Sequence, residues 1–254
     1  MNKINVVNNK IIPFDNNDVI LNNNIITFTN NGDYYLEYIT SDNVNITINI
    51  EDNVCVQLFE YSNNKDINTN ITYNLCKNSS LIISKFYYND NTNEKVNVYL
   101  NKKKANIKYN FSSISKNYDN YLINIYHNDS DTSSDIFNRT IAKENSSNNF
   151  VINSYVENKI LDCYLNQSTK IITLGDSNNK INPNMFTHDN SVTAIHASVI
   201  GNVNEEELFY LMSRGISYNE AIKIIIKGII LSNINPNMEY REKILNILEE
   251  VGGE

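Results

Sequence analysis

The stretch HASVIGNVNEEELFYLMSRGIS, residues 196–217, contains the change of pattern that divides this chain. Its first part is apolar and β-prone, whereas charged residues, helix formers and 3.6-residue spacing take over from Gly201 onward. Asn204 with Glu207 three positions later has the form of a capping box, and Gly215 supplies a left-handed stop. We therefore predict a β-rich core over residues 1–200 and a helical region over residues 201–254.

Two further helices are predicted downstream of this stretch. Ser217 and Glu220 repeat the capping-box spacing and open a helix that should end near Asn233. Pro236 fits the first turn of a third helix, which should end at Gly252-Gly253. The core-facing positions of this third helix are Ile244, Leu245 and Leu248.

Upstream of residue 196, from about Ile25 onward, the chain reads as short β-prone runs bounded by Asn, Asp and Ser. The clearest is Val44–Ile50, where Val and Ile alternate with Asn and Thr as in a half-buried strand. The other runs are 54–59, 71–75, 81–87, 96–100, 107–111, 121–126, 136–142, 150–156, 171–174 and 192–197. Such spacing leaves a sandwich, a barrel and a β-solenoid open, and turn asparagines favour the solenoid slightly because stacked amides form ladders.

Composition and charge argue against several classes of function. The 254 residues carry a net charge of −8, which argues against a nucleic-acid partner, and Lys102 to Lys104 form too short a basic run to change this. There is no apolar run of the roughly 20 residues that a membrane span requires, and residues 1–9 do not resemble a signal peptide. Three cysteines without CxxC spacing indicate reduced thiols, so we expect a cytoplasmic protein without a membrane partner.

Residues 196–217 resemble the C-terminal signature of the SufB and SufD proteins of iron-sulfur cluster assembly. Tyr126-His127, the Thr-Ser-Ser run that starts at Thr132, Leu174-Gly175 and Pro183 extend this resemblance upstream. The chain is closer to SufD-type members and looks like a short form. The resemblance implies a mainly β protein with a right-handed parallel β-helix core and a small C-terminal α-helical region.

The same resemblance implies partners. Members of this family dimerise through their β-helices and bind an ABC-type ATPase, SufC, through their C-terminal helices. The implied dimer is either a homodimer or a heterodimer with a SufB-like subunit. The implied ATPase-docking residues are Glu205, Glu206, Phe209, Tyr210, Arg214 and Gly215. Packing of the helices onto the β core is the alternative role for Phe209 and Tyr210, because apolar helix faces usually bury within their own protein.

The resemblance further implies a transient iron-sulfur cluster, which needs thiolate ligands supplemented by histidine or carboxylate. SufB-type proteins have a cysteine where this chain has Thr169 and a glutamate where it has Ala197. SufD-type proteins often have a cysteine at the position of Ala194. His196 remains as a ligand candidate, with Cys163 as a second candidate that would need a shift of register. A single imidazole cannot hold a cluster, so a complete site within one chain is not expected, and a shared site at a subunit interface stays open.

The remaining histidines and cysteines are weaker ligand candidates. His188 lies in a polar loop and His127 at a strand end. Cys55 and Cys76 are 21 residues apart in sequence, a separation that would let them stack on adjacent coils of a β-helix.

The sequence also bears on catalysis. No GxxxxGK[ST] motif is present, so we expect this chain to bind no nucleotide and any ATP hydrolysis to belong to a partner. A non-enzymatic scaffold is therefore the leading hypothesis. The alternatives are a diverged family member that contacts no cluster, with an assembly or regulatory role, and a carbohydrate-active β-helix enzyme. That enzyme would use acidic residues such as Asp129, Asp131 and Asp135.

Overall fold

A computed structural model describes residues 2–7, 9–12, 18–39 and 43–251 of the chain. The strands are β1 (Asn2–Val7), β2 (Lys10–Ile11), β3 (Val19–Asn22), β4 (Ile25–Phe28), β5 (Gly32–Tyr38), β6 (Asn43–Ile50), β7 (Cys55–Ser62), β8 (Asp66–Leu75), β9 (Ser80–Tyr87), β10 (Asn91–Leu100), β11 (Asn106–Ser115), β12 (Tyr118–His127), β13 (Ser133–Lys143), β14 (Ser147–Val156), β15 (Tyr164–Leu174), β16 (Asn178–Phe186) and β17 (Thr193–Asn202). The helices are α1 (Glu205–Ser213), α2 (Tyr218–Asn233) and α3 (Met238–Val251).

The strands wind into a parallel β-helix with two sheets. Sheet A has the order β17-β15-β13-β11-β9-β7-β5-β1-β2, and sheet B has the order β16-β14-β12-β10-β8-β6-β4-β3. From β5 onward, strands that follow each other in the chain alternate between the sheets, and neighbours within each sheet are parallel. The predicted β-helix with C-terminal helices is confirmed, and the sandwich and barrel alternatives are wrong.

Asparagine and aspartate occupy most positions of one corner of the β-helix, where the backbone is left-handed. Asn53, Asn78, Lys104, Asp131 and Asp162 adopt positive φ at one corner of successive turns. Asn and Asp enter this left-handed region more readily than other residues with a side chain, because their short polar side chains bond locally. The amide of Asn78 also donates to the amide oxygen of Asn53 at 3.0 Å, so this corner carries the start of a ladder.

Longer ladders run along the outer face of sheet B. Asn97, Asn124, Asn153 and Asn184 are joined amide to amide at 3.1, 2.9 and 2.9 Å. Beside them the rings of Tyr99, Tyr126, Tyr155 and Phe186 are stacked, with centroids 4.8, 5.0 and 4.9 Å apart. The spacing of ladder partners along the chain grows from 25 residues in the early turns to 31 in the last. The ladders thus stay in register although the turns lengthen.

The strand β16 was not among the predicted β runs. Pro183 interrupts its β-prone pattern, because proline lacks the amide proton that a central strand needs. In the structure β16 is the last strand of sheet B, so only one of its edges is paired, and proline is tolerated at such an edge.

The bounds of α1 and α2 agree with the predicted capping residues, whereas the start of α3 differs from the prediction. Asn204 accepts hydrogen bonds from the amides of Glu206 and Glu207, Ser217 and Glu220 form a capping box, and α2 ends at Asn233 as expected. Pro236 lies ahead of α3 rather than within its first turn, and Asn237 instead accepts the amide proton of Tyr240. The predicted end at Gly252-Gly253 lies outside the described residues.

Helices α2 and α3 cover part of the outer face of sheet A. Ile226, Ile230, Tyr240, Ile244 and Leu248 pack with apolar side chains of the sheet. Those sheet side chains are Phe59, Tyr61, Phe86, Ile114, Ile141 and Ile172. None of the helices in the described part of the chain combines the length and the apolar character that crossing a bilayer demands.

Candidate functional site

The centre of the candidate site is β17, the last strand of sheet A. It pairs with β15 on one side only, and His196 lies opposite Gln167 in that pairing. Every side chain from Thr193 to Ile200 is exposed, on both faces of the strand. Three of these exposed side chains are large and apolar, namely Ile195, Val199 and Ile200. His196 therefore lies on a free, partly apolar edge at the open end of the β-helix.

Cys163 lies in a different environment from His196. Its side chain is buried in a small apolar cluster with Val156 and Leu165, just before β15 begins. Its sulfur lies 3.3 Å from the hydroxyl of Thr132, which itself donates to the carbonyl of Asp129 at 2.9 Å. The thiol also lies within donor distance of the carbonyls of Asp129 and Leu161, at 3.7 and 3.6 Å.

His127 completes this buried group. Its Nδ1 lies 2.8 Å from Thr132 Oγ1 and its Nε2 lies 3.0 Å from Ser134 Oγ. Since Thr132 already donates its proton elsewhere, the Nδ1 atom of His127 carries the ring proton. Burial lowers the pKa of His127 to about 4, so the ring is neutral at physiological pH. His127 and Cys163 are thus satisfied within the interior.

The expected cluster donors do not converge within this chain. No group of three His, Cys, Asp or Glu side chains in the described ranges is arranged to hold a metal ion. Thr169, at the position of a family cysteine, is buried and accepts a hydrogen bond from Asn138 at 2.9 Å. Ala194 and Ala197 are exposed on β17. The residues present do not fit a complete cluster site, and His196 is the one candidate donor on the free edge.

The weaker candidates lie apart from β17. His188 is exposed in the loop between β16 and β17. Cys55 pairs in register with Ser80, whereas Cys76 donates its amide proton to the carbonyl of Ile50. Those two cysteines occupy different positions of the turn, because the repeat is 25 residues here rather than 21. The stacking hypothesis for them is wrong.

Helix α1 is the second exposed element of the site. No residue of α1 is buried, and Phe209 and Tyr210 are 75% and 58% exposed. The guanidinium of Arg214 lies 5.2 Å from the ring centroid of Tyr210, and Gly215 ends the helix with φ +87°. The alternative in which Phe209 and Tyr210 pack onto the β core is therefore wrong for this chain. Glu205 and Glu206 occupy the first turn, where their charge favours the helix.

Most of the chain is similar to a known protein family. Residues 20–229 match the family described as SUF system FeS cluster assembly, SufBD core domain. The chain belongs to the SufBD family.

Individual SufBD relatives agree with this assignment. The iron-sulfur cluster assembly protein SufD of Bacillus subtilis is 25% identical over 134 residues, which cover 52% of this chain and 31% of that protein. The SufBD family protein PH1385 of Pyrococcus horikoshii is 54% identical over 35 residues, 14% of this chain and 8% of the relative. The SufBD family protein ycf24 of Galdieria sulphuraria is 44% identical over 46 residues, 18% and 21% of the two chains. The matches thus span less than a third of each relative.

The interior of this SufBD chain contains a charged cluster that was not among the candidate sites predicted above. Lys85 is fully buried between the two sheets, with its Nζ 3.1 Å from both Glu60 Oε2 and Glu94 Oε1. Both carboxylates are also buried. Burial by itself lowers the pKa of Lys85, but the two carboxylates outweigh it and the pKa is raised, so the ammonium stays charged.

Hydroxyl groups complete the cluster. Tyr38 and Tyr73 donate to Glu60, the former at 3.0 Å. Glu94 accepts from Tyr87 at 2.8 Å, from Tyr109 at 3.2 Å and from Thr69 at 2.9 Å. Burial raises the pKa of all four phenols well above the ordinary value, so they remain donors. The sequence does contain one signal for this cluster. Lys85 is two and four residues from Ile83 and Leu81 on β9, so its side chain points to the same interior face of the sheet.

Proposed function

We propose that this chain is a non-catalytic scaffold subunit of an iron-sulfur cluster assembly complex in the cytoplasm. The observation that carries the proposal is the free edge of β17, which presents His196 among exposed apolar side chains at the open end of a SufBD-family β-helix. The free cysteines agree with a reducing compartment.

The first part of the proposal is dimerisation through this open end. A long exposed edge strand with apolar side chains invites pairing with another chain, and natural proteins normally shield such edges. Here β17 has one unpaired edge, and Ile195, Val199 and Ile200 are 49%, 52% and 45% exposed. The proposed occupant is a second SufBD-type subunit, either a copy of this chain or a SufB-like partner.

The second part is docking of a SufC-type ABC ATPase on α1. Phe209, Tyr210 and Met212 form an apolar surface that nothing within the described chain covers. Aromatic side chains beside arginine are typical of the residues that dominate interfaces, and Arg214 lies next to Tyr210. In this arrangement ATP is bound and hydrolysed by the partner.

The third part concerns the cluster as cargo. We propose that His196 supplies one ligand to a transient cluster whose remaining ligands come from the partner subunit. The alternative is an assembly role without cluster contact, which the positions of Thr169 and Ala197 favour because neither side chain is a cluster ligand. A carbohydrate-active role has less support, since Asp129 and Asp131 bond to Lys103 at a turn and Asp135 to Asn166 in a ladder.

Co-purification with the organism's SufC-like ATPase tests the docking. The full chain is used, because removal of the helices would uncover the apolar face of sheet A. The double variant Phe209→Ala/Tyr210→Ala should lose the ATPase, whereas Tyr118→Ala and Met238→Ala should retain it. These two controls also remove side chains that are exposed, by 52% and 79%. Equal retention by all variants would contradict docking on α1.

The oligomeric state in solution tests dimerisation through β17. Light scattering after size exclusion should show that Ile195→Glu weakens the dimer, and that Ile20→Glu does not. Ile20 is 57% exposed on β3, the edge strand of sheet B at the end of the β-helix remote from β17.

Iron and sulfide content, read anaerobically for the wild-type complex and for His196→Ala, then separates the two cluster hypotheses. Bound iron that falls with His196→Ala supports ligation, and a complex without iron supports the alternative.

A further inference from the structure

A groove unrelated to β17 lies between sheet A and the segment that follows α2. Its volume is about 510 Å³, which is within the range of small-molecule sites. The lining residues used in the argument are Lys108, Asn110, Phe137, Arg139 and Asn233. Asn233 forms part of the roof, and its amide is fixed to the sheet by hydrogen bonds to the carbonyls of Phe111 and Phe137 at 2.8 and 3.3 Å.

Arg139 is held in place with part of its hydrogen-bonding capacity unused. Its Nη1 donates to the carbonyls of Asn138 and Ser168 at 2.8 and 3.0 Å, and its Nη2 donates to Ser168 Oγ at 3.2 Å. These bonds use three of the five N–H groups of a guanidinium. The Nε–H and one Nη2–H remain without a partner in the described ranges, and such a pair matches two oxygens of a carboxylate or phosphate.

Positive charge exceeds negative charge at this end of the groove. The ladder neighbours of Arg139 are Ser112 and Lys170. Arg139, Lys108 and Lys170 form no ion pair in the described part of the chain. Asp135 adjoins Lys108 in the ladder, and its carboxylate accepts a hydrogen bond from Asn166. In a chain of net charge −8, three cations on neighbouring strands that outnumber the adjoining carboxylate of Asp135 are a local exception.

The acidic residue of the groove lies at its other end. Asp33 is on β5, four strands away from β13, a separation of roughly 19 Å at the usual strand spacing. It therefore leaves the cationic end free to attract an anion. The ring of Phe137 lies between the charges, with Lys108 Nζ and Arg139 Cζ each 5.9 Å from its centroid.

Asn110 adds a polar group to the groove. Its side chain lines the groove and is only 9% exposed. A carboxamide in this position can both donate to and accept from a polar ligand atom.

We propose that this groove binds a small organic anion, whose carboxylate or phosphate is held by the free N–H pair of Arg139. Lys108 and Lys170 add attraction, the Asn110 amide supplies a further hydrogen bond, and Phe137 contacts an apolar part of the ligand. The proposal is independent of dimerisation and of ATPase docking, because neither β17 nor α1 contributes to the groove.

Calorimetric titration of the full chain with phenyl phosphate, benzoate and inorganic phosphate tests whether the groove binds an organic anion. Saturable binding of at least one of the two aromatic anions is expected, and the comparison between them distinguishes phosphate from carboxylate. Arg139→Gln and Asn110→Ala should each lower the affinity for the aromatic anion by about tenfold or more, the loss expected for a hydrogen bond to a charged group. Lys95→Gln is the matched control, since it removes an exposed cation from the outer face of sheet B.

Three results would overturn the proposal: no saturable heat with any probe, equal affinity in Arg139→Gln and wild type, or an equal loss in Lys95→Gln. Lys108→Gln provides a second route should Arg139→Gln unfold, because Lys108 is exposed and its removal leaves the sheet intact. It should weaken binding while the melting temperature stays unchanged.

Discussion

Lys85 is the residue on which the charged interior depends. Removing it would leave the carboxylates of Glu60 and Glu94 buried without a counter-charge. Breaking a buried pair in this way typically costs about 3–5 kcal/mol. We expect Lys85→Met to lower the free energy of unfolding by this amount, as measured by denaturant titration. The triple variant with Glu60→Gln and Glu94→Gln should recover most of the loss, and a triple variant as unstable as the single one would refute this account.

Asp119 should make stability depend on pH. Burial raises its pKa to about 6 from 3.8, although a hydrogen bond from Thr92 opposes the shift. The folded protein therefore holds a proton that the unfolded chain releases, so stability falls as pH rises from about 4 to 6. Relative to wild type, Asp119→Asn should gain about 2 kcal/mol between pH 4 and pH 7. A difference that stays constant across this range would contradict the prediction.

His127 should act with the opposite sign. Its folded pKa of about 4 lies below the ordinary 6.5, so the unfolded chain binds a proton that the folded protein does not. Its contribution is present above pH 6.5 and is lost as pH falls toward 4. The stability deficit of His127→Gln should therefore shrink by about 3 kcal/mol between pH 7 and pH 4. Unfolding curves recorded at matched pH values for both variants would separate the two residues.

At the scale of elements, α3 and α1 make opposite use of a tyrosine. Tyr240 on α3 is fully buried, stacks near Tyr35, Phe59 and Tyr61, and donates to Glu37 at 3.0 Å. Tyr210 on α1 is exposed. We expect Tyr240→Ala to destabilise the protein by about 3–5 kcal/mol, the usual cost of deleting a buried ring. Tyr210→Ala should change stability by less than about 0.5 kcal/mol in the same thermal or denaturant measurement.

The same elements show what a sequence can predict. Helix bounds follow from caps such as Asn204 and Ser217, because capping depends on a few adjacent residues. The exposure of α1 could not be predicted, since its apolar residues are equally suited to a core or an interface. The strand β16 was not predicted because it contains Pro183. Proline is excluded from strands that are paired on both edges, but the sequence does not show that β16 is paired on one edge only. The groove beside Arg139 joins residues more than 90 positions apart in sequence, such as Phe137 and Asn233.

At the scale of the whole molecule, the ladders join one turn to the next. Tyr126 stacks on two rings, Tyr99 and Tyr155, whereas Phe186 stacks on one. Each aromatic pair contributes about 0.5–1.5 kcal/mol beyond buried area. Tyr126→Ala should therefore lower the melting temperature more than Phe186→Ala, as measured by differential scanning calorimetry. Equal losses would show that the rings act singly rather than as a column.

The placement of α2 and α3 bears on how the β-helix unfolds. A solenoid whose turns touch only their neighbours behaves like a one-dimensional chain, which can melt piecemeal from its ends. Here Tyr240 is fixed to β5 and β7, while Asn233 is fixed to β11 and β13. The two helices therefore act as a brace across five consecutive strands of sheet A. Melting of any one of these turns must also release the brace, so this half of the solenoid unfolds as a single cooperative unit.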